Sequence, residues 1–87
     1  MNLKDFKVGN KVIITKSSYA HVKNKKGKVI ELLTTVHGAE WIGIEFNFCH
    51  DLFHSCDDKG KDGYCYYIPM SNSEKIEIIK DQLEFNF

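Results

Sequence analysis

Glu40-Trp41-Ile42-Gly43-Ile44-Glu45-Phe46-Asn47-Phe48 decides the fold. Ile42, Ile44, Phe46 and Phe48 alternate with Trp41, Gly43, Glu45 and Asn47, and a period of two places the first set on one face of a strand and the second on the other. One face is core. The opposite face carries an indole and a carboxylate on either side of a glycine, so this strand is expected to present Trp41 outward beside a shallow gap.

The flanking sequence repeats the pattern with shorter segments. Downstream, residues 64–68 (Tyr-Cys-Tyr-Tyr-Ile) form a fourth extended run, closed by Pro69 because proline donates nothing to a strand ladder. Met70-Ser71-Asn72-Ser73 is expected to turn the chain, as a tight turn or one turn of 3₁₀ helix, into a fifth strand over 75–80. Upstream, the Gly9-Asn10 turn leads into a first strand at 11–15, and a polar loop ends at Gly27. A second strand spans 28–36, rich in Val, Ile, Leu and Thr, with its alternation blurred at Leu32-Leu33 as a bulge would blur it. No stretch carries the 3.6-residue apolar period of a long helix. The class is all-β, and five short strands with two long loops fit a small barrel over residues 1–80. Residues 81–87, with Leu83, Phe85 and Phe87 at alternate positions, form a tail or an added edge strand.

Size and charge narrow the function. A chain of 87 residues buries only about 60 to 65 % of its unfolded surface, which leaves little room for an enclosed substrate pocket. A site on the surface follows. Twelve acidic residues balance twelve lysines, and arginine is absent, so the side chain best suited to guanine edges and bidentate phosphate contacts is missing. No apolar run reaches the roughly 20 residues of a membrane span, and residues 1–5 lack the apolar core of an export signal. A cytoplasmic location is expected, with Cys49, Cys56 and Cys65 as free thiols.

Gly38-Ala39-Glu40-Trp41-Ile42-Gly43-Ile44-Glu45-Phe46 resembles the signature strand of CAP-Gly domains, Gly-x-Trp-x-Gly-x-Glu followed by an apolar residue, with one extra residue between Gly38 and Trp41. Phe6 to Gly9 and Gly27-Lys28-Val29 resemble the opening of the same family and of other SH3-like barrels. The resemblance implies a five-stranded SH3-like barrel that binds protein. In CAP-Gly domains a Gly-Lys-Asn-Asp-Gly loop takes acidic C-termini; the nearest match is the shorter, displaced Gly60-Lys61-Asp62-Gly63. Val8-Gly9, Ile42 to Phe46, His50-Asp51 and Gly60 to Tyr66 are also similar to small bacterial and phage proteins of this barrel type. That likeness implies no general activity, but it makes a mobile-element accessory protein that binds and inhibits a host protein, defence nucleases included, one specific form of the binding function.

Three clusters compete as sites. Cys49, His50, His54, Cys56, Asp57 and Asp58, with Cys65 beyond, include every ligand type zinc prefers. Yet the order Cys-His-x₃-His-x-Cys, without a Cys-x₂-Cys pair, closes no standard site, so a hydrogen-bonded loop is expected, with no metal and no cofactor. The same residues could supply a Cys–His nucleophile pair, but nothing in the sequence announces an oxyanion hole, and catalysis is not expected. Lys23, Lys25, Lys26 and Lys28 flank Gly27 as in the loops of KOW-type modules. This basic cluster is either a phosphate contact or a solvated turn that keeps an edge soluble. Aromatic residues are dense across the third strand, the loop and the fourth strand, and such residues concentrate in protein interfaces.

The expected function is therefore non-enzymatic protein binding. Its surface would comprise Trp41, Gly43, Glu45, Phe53, Asp57, Asp58, Lys61, Tyr64 and Tyr66. A nucleic-acid-binding barrel using the Lys23 to Lys28 loop is the alternative.

Overall fold

A computed structural model describes residues 3–79. Five strands, β1 (Lys11–Lys16), β2 (Lys26–Thr34), β3 (Glu40–Phe46), β4 (Cys65–Pro69) and β5 (Lys75–Ile78), form one antiparallel sheet in the order β4-β3-β2-β1-β5. A single 3₁₀ turn, Leu3–Asp5, precedes them. The protein is all-β. The sheet is open, with β4 and β5 at opposite edges. Among the described residues no helix is long and apolar enough to cross a membrane. The expected edge strand at 81–87 and the end of the fifth strand at Lys80 lie outside the described residues.

β1 and β2 share only a short ladder, Lys11 to Ile13 against Lys28 to Lys26. Beyond it, β1 pairs with β5 and β2 with β3. The inner side collects Val12, Ile14, Val29, Ile42, Ile44, Phe46, Ile68 and Ile76, and Leu3, Phe6, Val22 and Phe53 join them in one core. Of these, Ile42, Ile44 and Phe46 are the positions that period-two alternation assigns to one face of β3. Phe48 lies beyond the end of β3 and is only partly buried against this core.

The bulge in β2 falls earlier than the alternation indicates. Val29 faces Ile44 and Glu31 faces Gly43, so Ile30 is the extra residue. With three apolar residues among 30–33, a period-two pattern fits more than one register, and only the partner strand selects between them. The bulge turns both Ile30 and Glu31 to the outer side, where Ile30 approaches Gly60 and Glu31 meets Tyr67.

Glu74 ties the first long loop to the turn before β5. It is 3 % exposed and accepts hydrogen bonds from the Ser17 hydroxyl, the Ser18 amide at 3.1 Å, the Ser18 hydroxyl at 2.9 Å and the Ser73 hydroxyl at 3.0 Å. Burial alone would raise its pKa; the donors from Ser17, Ser18 and Ser73 outweigh burial and hold the carboxyl below its ordinary value.

Candidate functional site

The outer side of β2, β3 and β4 is set by register. Leu33, Trp41 and Pro69 face one another across the three strands, the next row is Glu31, Gly43 and Tyr67, and the next pairs Glu45 with Cys65. The long loop divides this face into a covered end and an open end.

Residues 47–64 do not project from the sheet; they fold around its edge. His54 and Cys65 exchange backbone hydrogen bonds at 2.7 and 2.9 Å, so the loop supplies a one-residue bridge that caps β4. Just before that bridge Phe53 turns to the inner side, stacked on Phe46 with ring centroids 5.1 Å apart. Just after it Cys56 turns to the outer side. Cys56, Asp57 and Asp58 have φ of 51°, 58° and 66°. Three successive non-glycine residues in the left-handed region cost roughly 1 to 2 kcal/mol each, somewhat less for aspartate. Local bonds hold them. His54 Nδ1 accepts the Cys56 amide at 2.9 Å, Ser55 Oγ accepts the Asp58 amide at 3.1 Å, and the Gly60 amide reaches the Ser55 carbonyl at 3.0 Å.

This turn lays the loop over the covered end. A Cβ on Gly60 would lie 2.5 Å from Cys65 Sγ and 2.7 Å from Ile30 Cδ1, so only glycine lets the backbone sit this close. The Glu45 carboxylate accepts the Lys61 amide at 2.8 Å, and Cys65 Sγ donates to the Lys61 carbonyl at 3.3 Å. Cys56 and Cys65 are wholly buried here. Burial first, then neighbouring Cys65, Glu31 and Asp57, push the Cys56 thiol up to about 12, and burial likewise raises Cys65. Both stay protonated at neutral pH, the opposite of an activated nucleophile. Cys49 is exposed, away from this pair. Among the described residues no three His, Cys, Asp or Glu side chains converge as ligands for a metal ion.

The residues expected to form one surface separate into three places. Trp41, Glu45, Asp57, Asp58 and Lys61 reach the outer side or its loop. Trp41 is half-buried, and Asp57, Asp58 and Lys61 are exposed. Gly43 leaves no gap beside the indole, because the Tyr67 ring lies across it, 3.1 Å from where a Cβ would stand. Phe53, 7 % exposed, belongs to the inner core. Tyr66 also faces inward, edge-on to Tyr19 at 5.6 Å and to His21 at 4.7 Å. Tyr64 sits before β4, with the Lys61 ammonium 4.5 Å above its ring. The basic cluster lies around the start of β2, where Lys28 pairs with Glu45. Lys23, Lys25, Lys26 and Lys28 are exposed there, Lys25 lies 5.6 Å over Phe48, and Lys26 and Lys28 line a groove of about 450 Å³ with Lys11, Glu45 and Phe46.

Sequence reasoning missed Glu31, Leu33, Tyr67 and Pro69 as neighbours of Trp41. Their common signal is cross-strand pairing, which appears only once register is known. The Tyr67 hydroxyl stands 2.6 Å from Glu31 Oε1 and 3.3 Å from Asp57 Oδ2. Leu33, Trp41 and Pro69 are all half-buried, and Val36, at the turn joining β2 and β3, is 96 % exposed. Comparison with protein-family models, curated proteins and solved structures finds no match to this chain.

Proposed function

We propose that this protein is a non-enzymatic protein-binding module whose docking surface is the open end of the outer face, centred on Trp41. The observation that carries this reading is the row Leu33–Trp41–Pro69, three apolar side chains across three strands that stay partly exposed while the loop covers the Cys65 end of the same face. Grooves of about 510 and 450 Å³ lie elsewhere, along β5 and beside Lys26, and a partly exposed apolar row centred on an aromatic residue suits a macromolecular partner. An SH3-like barrel, opened between its edge strands, is the architecture we assign to the module. Inhibition of a host defence protein is the finer form of the proposal, and it rests on the likeness to small phage proteins.

The nucleic-acid reading has its own observation, the exposed lysines 23, 25, 26 and 28 at one end of β2. Affinity capture with wild-type, Trp41→Ala and Lys26→Glu/Lys28→Glu proteins separates the two. A protein retained by wild type and by the lysine variant and lost with Trp41→Ala supports the proposal. Retention of nucleic acid that falls steeply with salt and vanishes in the lysine variant overturns it.

A further inference from the structure

The open end carries a charge imbalance with a definite shape. The Tyr67 hydroxyl has one proton and two carboxylate neighbours, and at 2.6 Å against 3.3 Å the proton goes to Glu31. Asp57 therefore faces a lone pair, with no donor between it and Glu31. Glu31, Asp57, Asp58, Glu45 and Asp62 take part in no ion pair among the described residues. Of the two lysines on the same loop, Lys61 lies over the Tyr64 ring. Burial, the bond to Glu31 and the charge of Glu31 all push the Tyr67 phenol above its ordinary pKa. The field at this hydroxyl is negative.

Trp41 lies one row away on the outer side. Glu31 pairs with Gly43, one row along from the Leu33–Trp41 pair and on the same side of the sheet. Diagonal neighbours of this kind are about 7 Å apart, a span that one lysine or arginine side chain covers. An indole face attracts a cation, and a guanidinium or ammonium has donors enough for both carboxylates.

Resting on the docking surface proposed above, we infer that the protein partner lays a lysine or arginine side chain over the Trp41 indole with its charged end on the Glu31–Asp57 pair, and apolar neighbours on Leu33 and Pro69. Glu31 and Asp57 thereby receive a cation that no lysine among the described residues supplies to them in an ion pair, and the Tyr67 hydroxyl holds Glu31 in place to meet it.

Trp41 is the sole tryptophan, so its fluorescence reads the site directly. The probes are four short peptides with one apolar frame and a central Arg, Lys, Gln or Glu. The Arg and Lys peptides should change Trp41 emission saturably, and the Gln and Glu peptides should bind at least about tenfold more weakly. Asp57→Asn, at an exposed position, should reduce the Arg and Lys peptides to the affinity of the Gln peptide while leaving the circular dichroism spectrum unchanged. Glu31→Gln should do the same where it folds. Equal binding of all four peptides, or full Arg affinity in a folded Asp57→Asn protein, overturns the cation inference and leaves the docking surface standing. No response of Trp41 to any peptide overturns the inference and counts against the surface as well.

Discussion

On the inner side of β3, Ile42, Ile44 and Phe46 are at most 3 % exposed and meet other apolar side chains. On the outer side the same strand presents Trp41, Gly43 and Glu45, held by a phenol–carboxylate bond, an amide–carboxylate bond and a turn of three left-handed residues. The inner layer needs only shape and hydrophobicity, which tolerate sequence change. The outer layer depends on particular groups at particular distances, and its turn is strained. Strain kept in a small domain belongs where a surface must hold a set shape. The docking surface proposed above lies on the outer layer.

The largest expected effect tests the inner side of this contrast. Phe53→Ala should cost about 3 to 5 kcal/mol in urea unfolding, because the ring is buried against Phe46, Phe48 and Tyr66. A cost below about 1 kcal/mol would place Phe53 on the surface instead. Gly60→Ala should cost less, about 1 to 3 kcal/mol, since its new methyl must displace Cys65 and Ile30 by lifting the loop. Thiol labelling sharpens that result. Wild type should label rapidly at Cys49 alone, whereas the lifted loop should expose Cys56 and Cys65 too. Uniform labelling of wild type would show that the covered end is not covered.

Trp41→Ala marks the boundary between the two layers. A half-buried indole should cost less than about 2 kcal/mol, against roughly 3 to 5 for a tryptophan packed beneath a loop. Loss of folding in this variant would assign Trp41 to the core and remove the surface with it.

How much of this was legible depended on whether a residue's partner lay in its own strand or another. The alternation of Ile42, Ile44 and Phe46 named the inner face of β3, and Pro69 marked the end of β4, because both signals are local. The second strand was legible as a strand, but its bulge sat at Ile30 and not at Leu32-Leu33, since apolar residues at 30, 32 and 33 satisfy either register. Phe53 read as an exposed anchor because it stands in a polar loop. Its burial follows from the His54–Cys65 bridge and a left-handed turn without glycine, neither of which has a compositional signature. Glu31 and Tyr67 stayed hidden for the same reason: they are 36 residues apart and meet only through the pairing of both strands with β3.

The smallest expected effect lies at the margin of the inner layer, where polar groups enter it. His21 stacks on His50 with centroids 4.8 Å apart, meets Tyr19, Tyr66 and Phe53 on its other sides, and has a buried Nε2 with no hydrogen-bond partner. Burial, and then the charge of a protonated His50, lower its pKa below the ordinary 6.5. A lowered histidine pKa means that the fold prefers the neutral ring. Its contribution is intact above the unfolded value and is lost as pH falls through about 6.5 towards the folded pKa. Glu74, whose pKa is also lowered, has linkage of the same sign but in a lower window, with stability lost only as pH falls below about 4.5. The two windows are separate, so a series of melting temperatures from about pH 7.5 to about pH 5 reads the histidine alone of these two. Wild type should lose melting temperature across that range. His21→Phe keeps the ring contacts and removes the titrating group, so it should lose less. Equal slopes in the two proteins would show that the stack bears no proton-linked cost, and that the inner layer is as indifferent to charge at this margin as it is at Ile42 and Ile44.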